Sequence, residues 1–525
     1  MLSSMGFFYI FNSFPYISEF VFFFFVALLL VRSYIIKFLY FFYKVLDIKS
    51  ISFLNKLHKM NYSLSILRLF SCLILVLEFI KLMTLFINKD FVYYSSLNSL
   101  FIENSLVLIF KLLIWFIFFI LVFFSKGIRR YIHILEETAI LLLVLFFFLV
   151  LIPNTNDFLS LYLLLEGSTI TFLALIMSVN RSQKFMEATT KYFFLSTIAT
   201  MFFLIGLAIV FLSLGDLNFY TLIESMHMVD FKNFKANPYP ILPLGGIFIL
   251  LSFAYKLTLF PSHLWAPDIY DSLGYSFLLI IGSAVKISVF LVFLKLINMF
   301  KFLPYVLITF CIGSMVIGAF GATRQMKMKR LLAFSSTAQL GFLFLGVSTS
   351  LLDMDFAVYQ YAILGFIIYN LTLIAFILVL LYLRNTHKTN IIYITDLANL
   401  YSTNPIAAFI LLALLASMAG LPPFIGFWAK YWILMQTVSS NSYIIFLISV
   451  FLKMVSNIYY LGLIKLMFWE YTALNPLGAI KKNYFTYNVN NFFFFLIIFI
   501  ILLMVFLPWF CFFKVLPFLE DLSLI

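Results

Sequence analysis

Charge is what this sequence has least of. Asp, Glu, Lys and Arg make up 10% of its 525 residues, 64% are apolar, and the mean hydropathy is +1.11. Most of the chain therefore cannot face water, and a soluble globular protein is excluded. Cysteine is nearly absent too: Cys72, Cys311 and Cys511 stand far apart in apolar runs, which excludes a disulfide framework and a cysteine-held metal or iron–sulfur site. There is no Gly-rich phosphate loop and no dinucleotide fingerprint, so any redox chemistry served by this chain belongs to another polypeptide. His58, His133, His227 and His387 fall in loops or at span boundaries without metal spacing. The start of the chain shows neither an Arg- and Ser-rich amphipathic leader nor a basic stretch before a small-residue cleavage site. Together with 71 phenylalanines, an excess of the kind AT-rich coding produces, this points to insertion from an organellar or bacterial ribosome.

What is present is a succession of apolar runs of about 20 residues, the length needed to cross a bilayer as helix. Spans are expected near 18–40, 64–87, 105–125, 136–152, 157–179 and 192–214. After a polar loop with Asp230, Lys232, Lys235 and Pro238, more follow near 241–270, 274–298, 303–323, 331–350, 356–383, 405–438, 443–468 and 491–513. The predicted architecture is an all-α membrane protein of about 14 transmembrane helices. The net charge of +13 comes from short basic clusters between spans, the arrangement that sets membrane orientation and not one that binds nucleic acid. Clusters such as Lys126, Arg129 and Arg130, or Arg324, Lys327, Lys329 and Arg330, follow odd-numbered spans. Those loops are expected on the cytoplasmic or matrix side, with both termini opposite. Residues 1–130 read as N-terminal helices, 131–470 as a functional core and 471–525 as a last loop and helix. Tyr and Trp mostly near span ends read as interfacial belts.

Function has to come from the residues that do not belong in lipid. Glu166, in Leu161-Tyr-Leu-Leu-Leu-Glu-Gly-Ser-Thr, lies mid-span, where an ionised carboxylate costs several kcal/mol unless compensated. A helix-packing hydrogen bond from a protonated Glu is the bland alternative. Lys256 is followed by Pro261, which cannot donate to residue 257, so its helix is expected to break there. A broken membrane helix is tolerated only where it is buried in protein or lines a watery cavity. Snorkelling to the interface is the alternative for Lys256. Lys286, about 12 residues inside an apparently intact span and flanked by Gly282, Ser283, Ala284 and Ser288, is too deep to snorkel easily. Lys430 repeats the pattern of Lys256, seven residues after a Pro422-Pro423 break. Paired interruptions in two halves are the mark of inverted-repeat transporters, with the sites at the breaks. Desolvation disfavours a lysine's charged form and a neighbouring carboxylate favours it, so such residues can hold or release a proton as a carboxylate approaches or retreats. His263 offers either a proton shuttle or a hydrogen-bonded structural side chain. Asp268 and Asp271 read as capping or loop residues.

Four stretches carry a family resemblance: Glu187-Ala-Thr-Thr-Lys-Tyr-Phe, Lys256 through Phe-Pro-Ser-His-Leu-Trp-Ala-Pro-Asp-Ile-Tyr, Lys329-Arg-Leu-Leu-Ala-Phe-Ser-Ser-Thr-Ala-Gln-Leu-Gly, and Ala419-Gly-Leu-Pro-Pro-Phe-Ile-Gly-Phe-Trp-Ala-Lys. In order and spacing they resemble the antiporter-like membrane subunits of respiratory complex I over roughly residues 136–470. The Trp-Ala-Pro-Asp-Ile-Tyr wording and a lysine at 430 favour one branch of that family over another with an acidic residue there. The resemblance implies a fourteen-helix fold and proton translocation through Glu166, Lys256, the bridging Lys286 and the terminal Lys430. It also implies neighbouring membrane-arm subunits and lipid as partners, and no cofactor in this chain, with NADH, flavin, iron–sulfur clusters and quinone elsewhere in the complex. The expected location is the mitochondrial inner membrane, with a bacterial plasma membrane as the alternative. Two positions depart from the family pattern: Gln339 stands where many relatives have His, and Asp271-Ser-Leu-Gly replaces an acidic-Gly-small-Pro turn. A stand-alone cation/proton antiporter and a structural anchor without transport are the competing readings.

Overall fold

The computed structural model describes residues 70–81, 94–96, 100–128, 135–179, 183–219, 221–222, 241–296, 303–353, 359–387, 391–422 and 424–469. The expected spans 18–40 and 491–513, and Cys511, lie outside these residues, as does the loop containing Asp230. Within them the chain is helical apart from one antiparallel ribbon, β1 (Tyr94–Ser96) with β2 (Phe101–Glu103), which the all-α expectation did not include. The helices are α1 (Ser105–Ile128), α2 (Leu135–Leu151), α3 (Phe158–Val179) and α4 (Gln183–Leu214). Then come α5 (Leu242–Lys256), α6 (Trp265–Ser272), α7 (Tyr275–Lys295), α8 (Pro304–Thr323) and α9 (Met328–Asp353). The last are α10 (Tyr359–His387), α11 (Pro405–Ala419), α12 (Ile425–Ser439) and α13 (Tyr443–Phe468). Seven of these are long and apolar enough to cross a membrane, and each lies where the apolar runs place a span.

Two compact units share these elements. One holds the described residues up to Thr189 with Leu217–Thr221 and Ile287–Leu294. Its core is aromatic: Phe118 meets Phe146 at 4.9 Å between α1 and α2, and Phe158 meets Phe219 at 4.9 Å. Gly167 on α3 leaves room for the Phe148 ring, which a Cβ would meet at 2.8 Å. Two ion pairs explain how charge interrupts the early apolar runs. Lys81 pairs with Glu78 at 3.6 Å, and the fully buried Lys111 pairs with Glu103. Breaking a buried pair costs far more than its formation gains, so each charge depends on its partner. Trp115 is also fully buried in α1, and so belongs to the core and not to an interfacial belt.

The other unit contains Thr190–Asp216, Leu222–Lys286 and the described chain from Lys295 onward. Helix α9 is its centre, with 94% of its apolar window buried. Small residues bring α8 against it: a Cβ at Gly318 would lie 2.5 Å from the Ala338 nitrogen, and one at Gly341 would collide with Ser314. With no hydrophobic force between helices in lipid, such close backbone approach is what holds them together. The start of α9 is tied to the segment after α10 by Met328 N–H to Ile392 O (3.0 Å) and Ile394 N–H to Met326 O (2.9 Å).

Candidate functional site

Two interrupted helices position the site, and both stop on the same backbone motif. Helix α5 ends at Lys256 and α6 begins at Trp265, so the interruption expected around Pro261 is there, with the proline inside it. There the Leu259 N–H bonds to Ala254 O (2.8 Å) and the Thr258 N–H to Tyr255 O (3.1 Å), with Thr258 left-handed at φ 59°. Helix α11 ends at Ala419, ahead of Pro422. The Leu421 N–H bonds to Ala416 O (3.0 Å) and the Gly420 N–H to Ser417 O (3.1 Å), with Gly420 at φ 83°. These are two Schellman ends. Each half-helix has thus stopped before a proline is reached, and the prolines lie downstream of the cap, where they cannot restart the helix.

A Schellman end satisfies some terminal carbonyls and leaves the last ones for other donors. At the second break the protein supplies two side chains. Met418 O accepts from Gln339 Nε2 on α9 (3.1 Å) and from Lys430 Nζ, which folds back from α12. Lys430 fits there because residue 420 has no Cβ: one would meet the lysine's Cδ at 2.7 Å. Gly426 likewise lets α12 cross against the Ser417 carbonyl. The ammonium therefore sits at the negative, C-terminal end of α11. At the first break, Lys256 occupies the last turn of α5 and is buried, again at the C-terminal end of a half-helix. The Trp265 indole donates to Tyr255 O (3.1 Å) across the interruption, so this tryptophan too is a core residue. His263 is buried within the break and stacks on Phe260.

Lys286 is fully buried on α7. Its Nζ donates to Ser336 Oγ on α9 (3.0 Å) and lies 5.9 Å from the centre of the Tyr270 ring. The expectation of an intact helix is corrected: Ile280–Ala284 form a π turn just before it. Such a turn leaves the α-helical hydrogen-bond ladder out of step locally and turns the following side chains. Small residues at 282–284 make the wider turn accommodable.

Helix α9 therefore gathers the lysines. Ser336, the acceptor for Lys286, is three residues and one turn from Gln339, which is bonded to Met418 O and, through it, linked to Lys430. Gln339 has another partner that sequence reasoning missed: Lys453 on α13, buried, donates to Gln339 Oε1 (2.9 Å) and sits 4.0 Å over the Phe342 ring. A cavity of about 30 Å³ opens beside Lys430 and Gln339, bordered also by Thr372 and Ser417. That is room for one water-sized molecule in a mostly apolar pocket, with Lys430 and Gln339 among the few polar groups on its wall. Glu166, half-buried on α3, accepts from Thr169 Oγ1 (3.3 Å) and belongs to the other unit.

Asp268 and Asp271, expected as capping or loop residues, instead form cross-element ion pairs from within α6. Asp268 meets Lys191 (3.1 Å) and Arg330 (3.3 Å), and Asp271 meets Lys327 (2.5 Å) and Arg330 (3.4 Å). Lys329 donates to Leu273 O (2.5 Å), so the Asp271-Ser-Leu-Gly turn is held by the basic first turn of α9.

Interrupted membrane helices with a buried or half-buried lysine at each interruption, and a third lysine joined to the second along one central helix, define an antiporter-like membrane subunit. Residues 155–456 match the family described as NADH:quinone oxidoreductase/Mrp antiporter, transmembrane, and the chain belongs to that family. NADH-quinone oxidoreductase subunit N of Polaromonas naphthalenivorans (strain CJ2) is 33% identical over 329 residues, covering 60% of this chain and 64% of that one. NADH-ubiquinone oxidoreductase chain 2 of Marchantia polymorpha is 31% identical over 344 residues, covering 64% of this chain and 67% of the relative. The match thus spans about two thirds of these relatives' length. It falls on the branch that the lysine at 430 favours, the one called subunit N or chain 2. The fold is also that of a chain in respiratory complex I from Thermus thermophilus with bound aureothin, at a TM-score of 0.67 and 21% identity, covering 94% of this chain and 98% of that one.

Proposed function

We propose that this chain is the subunit 2 type of proton-translocating membrane-arm subunit in an NADH:quinone oxidoreductase. It would work beside other antiporter-like subunits in the mitochondrial inner membrane, with NADH, flavin, iron–sulfur and quinone chemistry carried by other subunits. The observation that carries the reading is the row of lysines withdrawn from lipid and tied to α9, with the buried Lys286 on Ser336 and the half-buried Lys430 on the Met418 carbonyl that Gln339 shares. A buried lysine is a proton site whose occupancy follows the charges around it, because its environment penalises the ammonium strongly enough for a neighbour to decide the balance. Glu166, Lys256, Lys286 and Lys430 act in that order in this reading. A charge change at the Glu166 and Lys256 end alters the preference of Lys286, which alters that of Lys430, and Lys430 exchanges with the aqueous side through the cavity at its break. His263, inside the first break, is placed to pass a proton toward Lys256.

The test is NADH-driven pumping by the assembled complex carrying Lys430→Arg. A guanidinium keeps the charge but does not give up its proton at accessible pH. Pumping should fall to background while assembly and NADH oxidation persist. Pumping at the wild-type rate would make Lys430 an electrostatic fixture and defeat the reading. Isolation of the chain alone, with sodium-dependent exchange in liposomes, would make it a stand-alone antiporter.

A further inference from the structure

The family reading uses one lysine at the second break, but the structure places two there. Lys453 and Lys430 approach Gln339 from α13 and α12. The amide's orientation is dictated by its partners, since Oε1 must face the Lys453 donor and Nε2 the Met418 carbonyl. The result is an unbroken polar link, Lys453 Nζ to Gln339, Gln339 to Met418 O, and Met418 O to Lys430 Nζ. No carboxylate among the described residues pairs with either ammonium. The elements around α13 bring the half-buried Lys430 on α12 and, as buried titratable side chains, Tyr369 on α10 and Cys311 on α8, with Tyr459 and Tyr460 on α13 itself. Asp396 accepts from the Ile392 and Tyr393 backbone N–H groups, and Lys329 and Arg330 are engaged by Leu273, Asp268 and Asp271. Two cations held within one short hydrogen-bonded link, without a counter-charge, repel one another in a medium that screens poorly.

We propose that Lys453 is a second proton-binding residue of the terminal station, sharing one proton with Lys430 across the Gln339 amide. Gln339 itself carries no proton onward. It holds the two amines at fixed separation and couples their charges. When Lys430 gives its proton to water, the site can keep its single positive charge by protonation of Lys453. When Lys453 gives up that proton, Lys430 can be reloaded. Each release breaks one N–H bond as one O–H bond of hydronium forms, and each loading is the reverse, with no other bond changed. The aromatic face of Phe342 under Lys453 stabilises the charged form of that amine without trapping it as a carboxylate would.

This inference rests on the pumping reading above, and its test separates the two. Lys453→Gln and Lys453→Arg both keep a donor for Gln339, so both leave the packing of α13 in place. They would be compared with wild type and Lys430→Arg in vesicles carrying the assembled complex, with pumping and NADH oxidation followed as pH is varied. In Lys453→Arg a permanent cation keeps Lys430 from loading, so pumping should drop at least tenfold near neutrality and recover as pH is lowered. In Lys453→Gln the rival charge is gone and Lys430 releases reluctantly, so pumping should drop several-fold and recover as pH is raised. Opposite pH responses are the signature, because a merely structural lysine gives the same response in both variants. If Lys430→Arg is silent but both Lys453 variants follow the wild-type profile, or both fall alike at every pH, the shared-proton inference is overturned and the pumping reading stands. If Lys430→Arg pumps normally, both fall.

Discussion

Single atoms decide whether the lysines can serve as proton sites. The Lys286 ammonium is completely enclosed, and its one hydrogen bond to a side-chain oxygen is to Ser336. A hydrogen bond to a charged group is worth about 1.5–3 kcal/mol, so Ser336→Ala should slow NADH-driven pumping by roughly ten- to a hundredfold, by the rule that about 1.4 kcal/mol is tenfold. The measurement is initial pumping rate against NADH oxidation in the assembled complex, and a loss under twofold would show that Ser336 is not the link. Lys256→Ala should also cut pumping sharply with assembly preserved, since the proposed relay then lacks the cation at its first break. Normal stoichiometry in that variant would remove Lys256 from the relay. Glu166, Lys256, Lys286 and Lys430 stand out in the sequence as candidates because a charge deep in an apolar run is set against its cost in lipid. Lys453 meets the same criterion, well inside a 26-residue helix, and depth alone could have selected it. Its pairing with Gln339, 114 residues away, was not legible. Helices apolar on every face keep no record in their periodicity of which side turns inward.

At the scale of elements, both interruptions and the prolines inside them were foreseen, and the backbone motif that ends each half-helix was not. Proline marked them, but the stops come from hydrogen bonding at Thr258 and Gly420, ahead of the prolines. A left-handed threonine carries no signature that composition would reveal, and its β-branch makes that conformation costly. Thr258→Gly should therefore be accepted, raising the thermal midpoint of the assembled complex or leaving it unchanged, without loss of pumping. Gly420→Ala should behave oppositely. Its methyl would both strain a φ of 83° and press on Lys430, so pumping should fall several-fold even where the subunit still assembles. Equal pumping by Gly420→Ala and wild type would show that Lys430 does not need its place beside Met418. The π turn before Lys286 was equally hidden, because nothing in Ile280-Ile-Gly-Ser-Ala announces an extra residue per turn beyond the small side chains that tolerate it.

For the molecule as a whole, the basic cluster expected to set orientation does a second job. Lys327 and Arg330 at the start of α9 hold Asp268 and Asp271 on α6, the piece that follows the first break. These pairs are part-exposed and individually worth little, about 0–1 kcal/mol, so the combined variant Asp268→Asn with Asp271→Asn should lower the thermal midpoint only modestly while making it insensitive to salt. A midpoint that still falls with added salt as in wild type would deny the latch. The fold around it was broadly legible among the described residues, since the placing of spans follows from run length. The central place of α9 was not, because its sequence is no more apolar than that of its neighbours. That central place has an electrical meaning. Helix α9 is sheathed by protein along nearly its whole apolar length, whereas α4 and α13 are only 28% and 33% buried and turn broad apolar faces outward. A conductor inside insulation fails by going open, not by shorting. Variants that cut the lysine row should silence pumping yet leave the passive proton permeability of sealed vesicles at its wild-type value, and an imposed pH gradient should decay no faster across them.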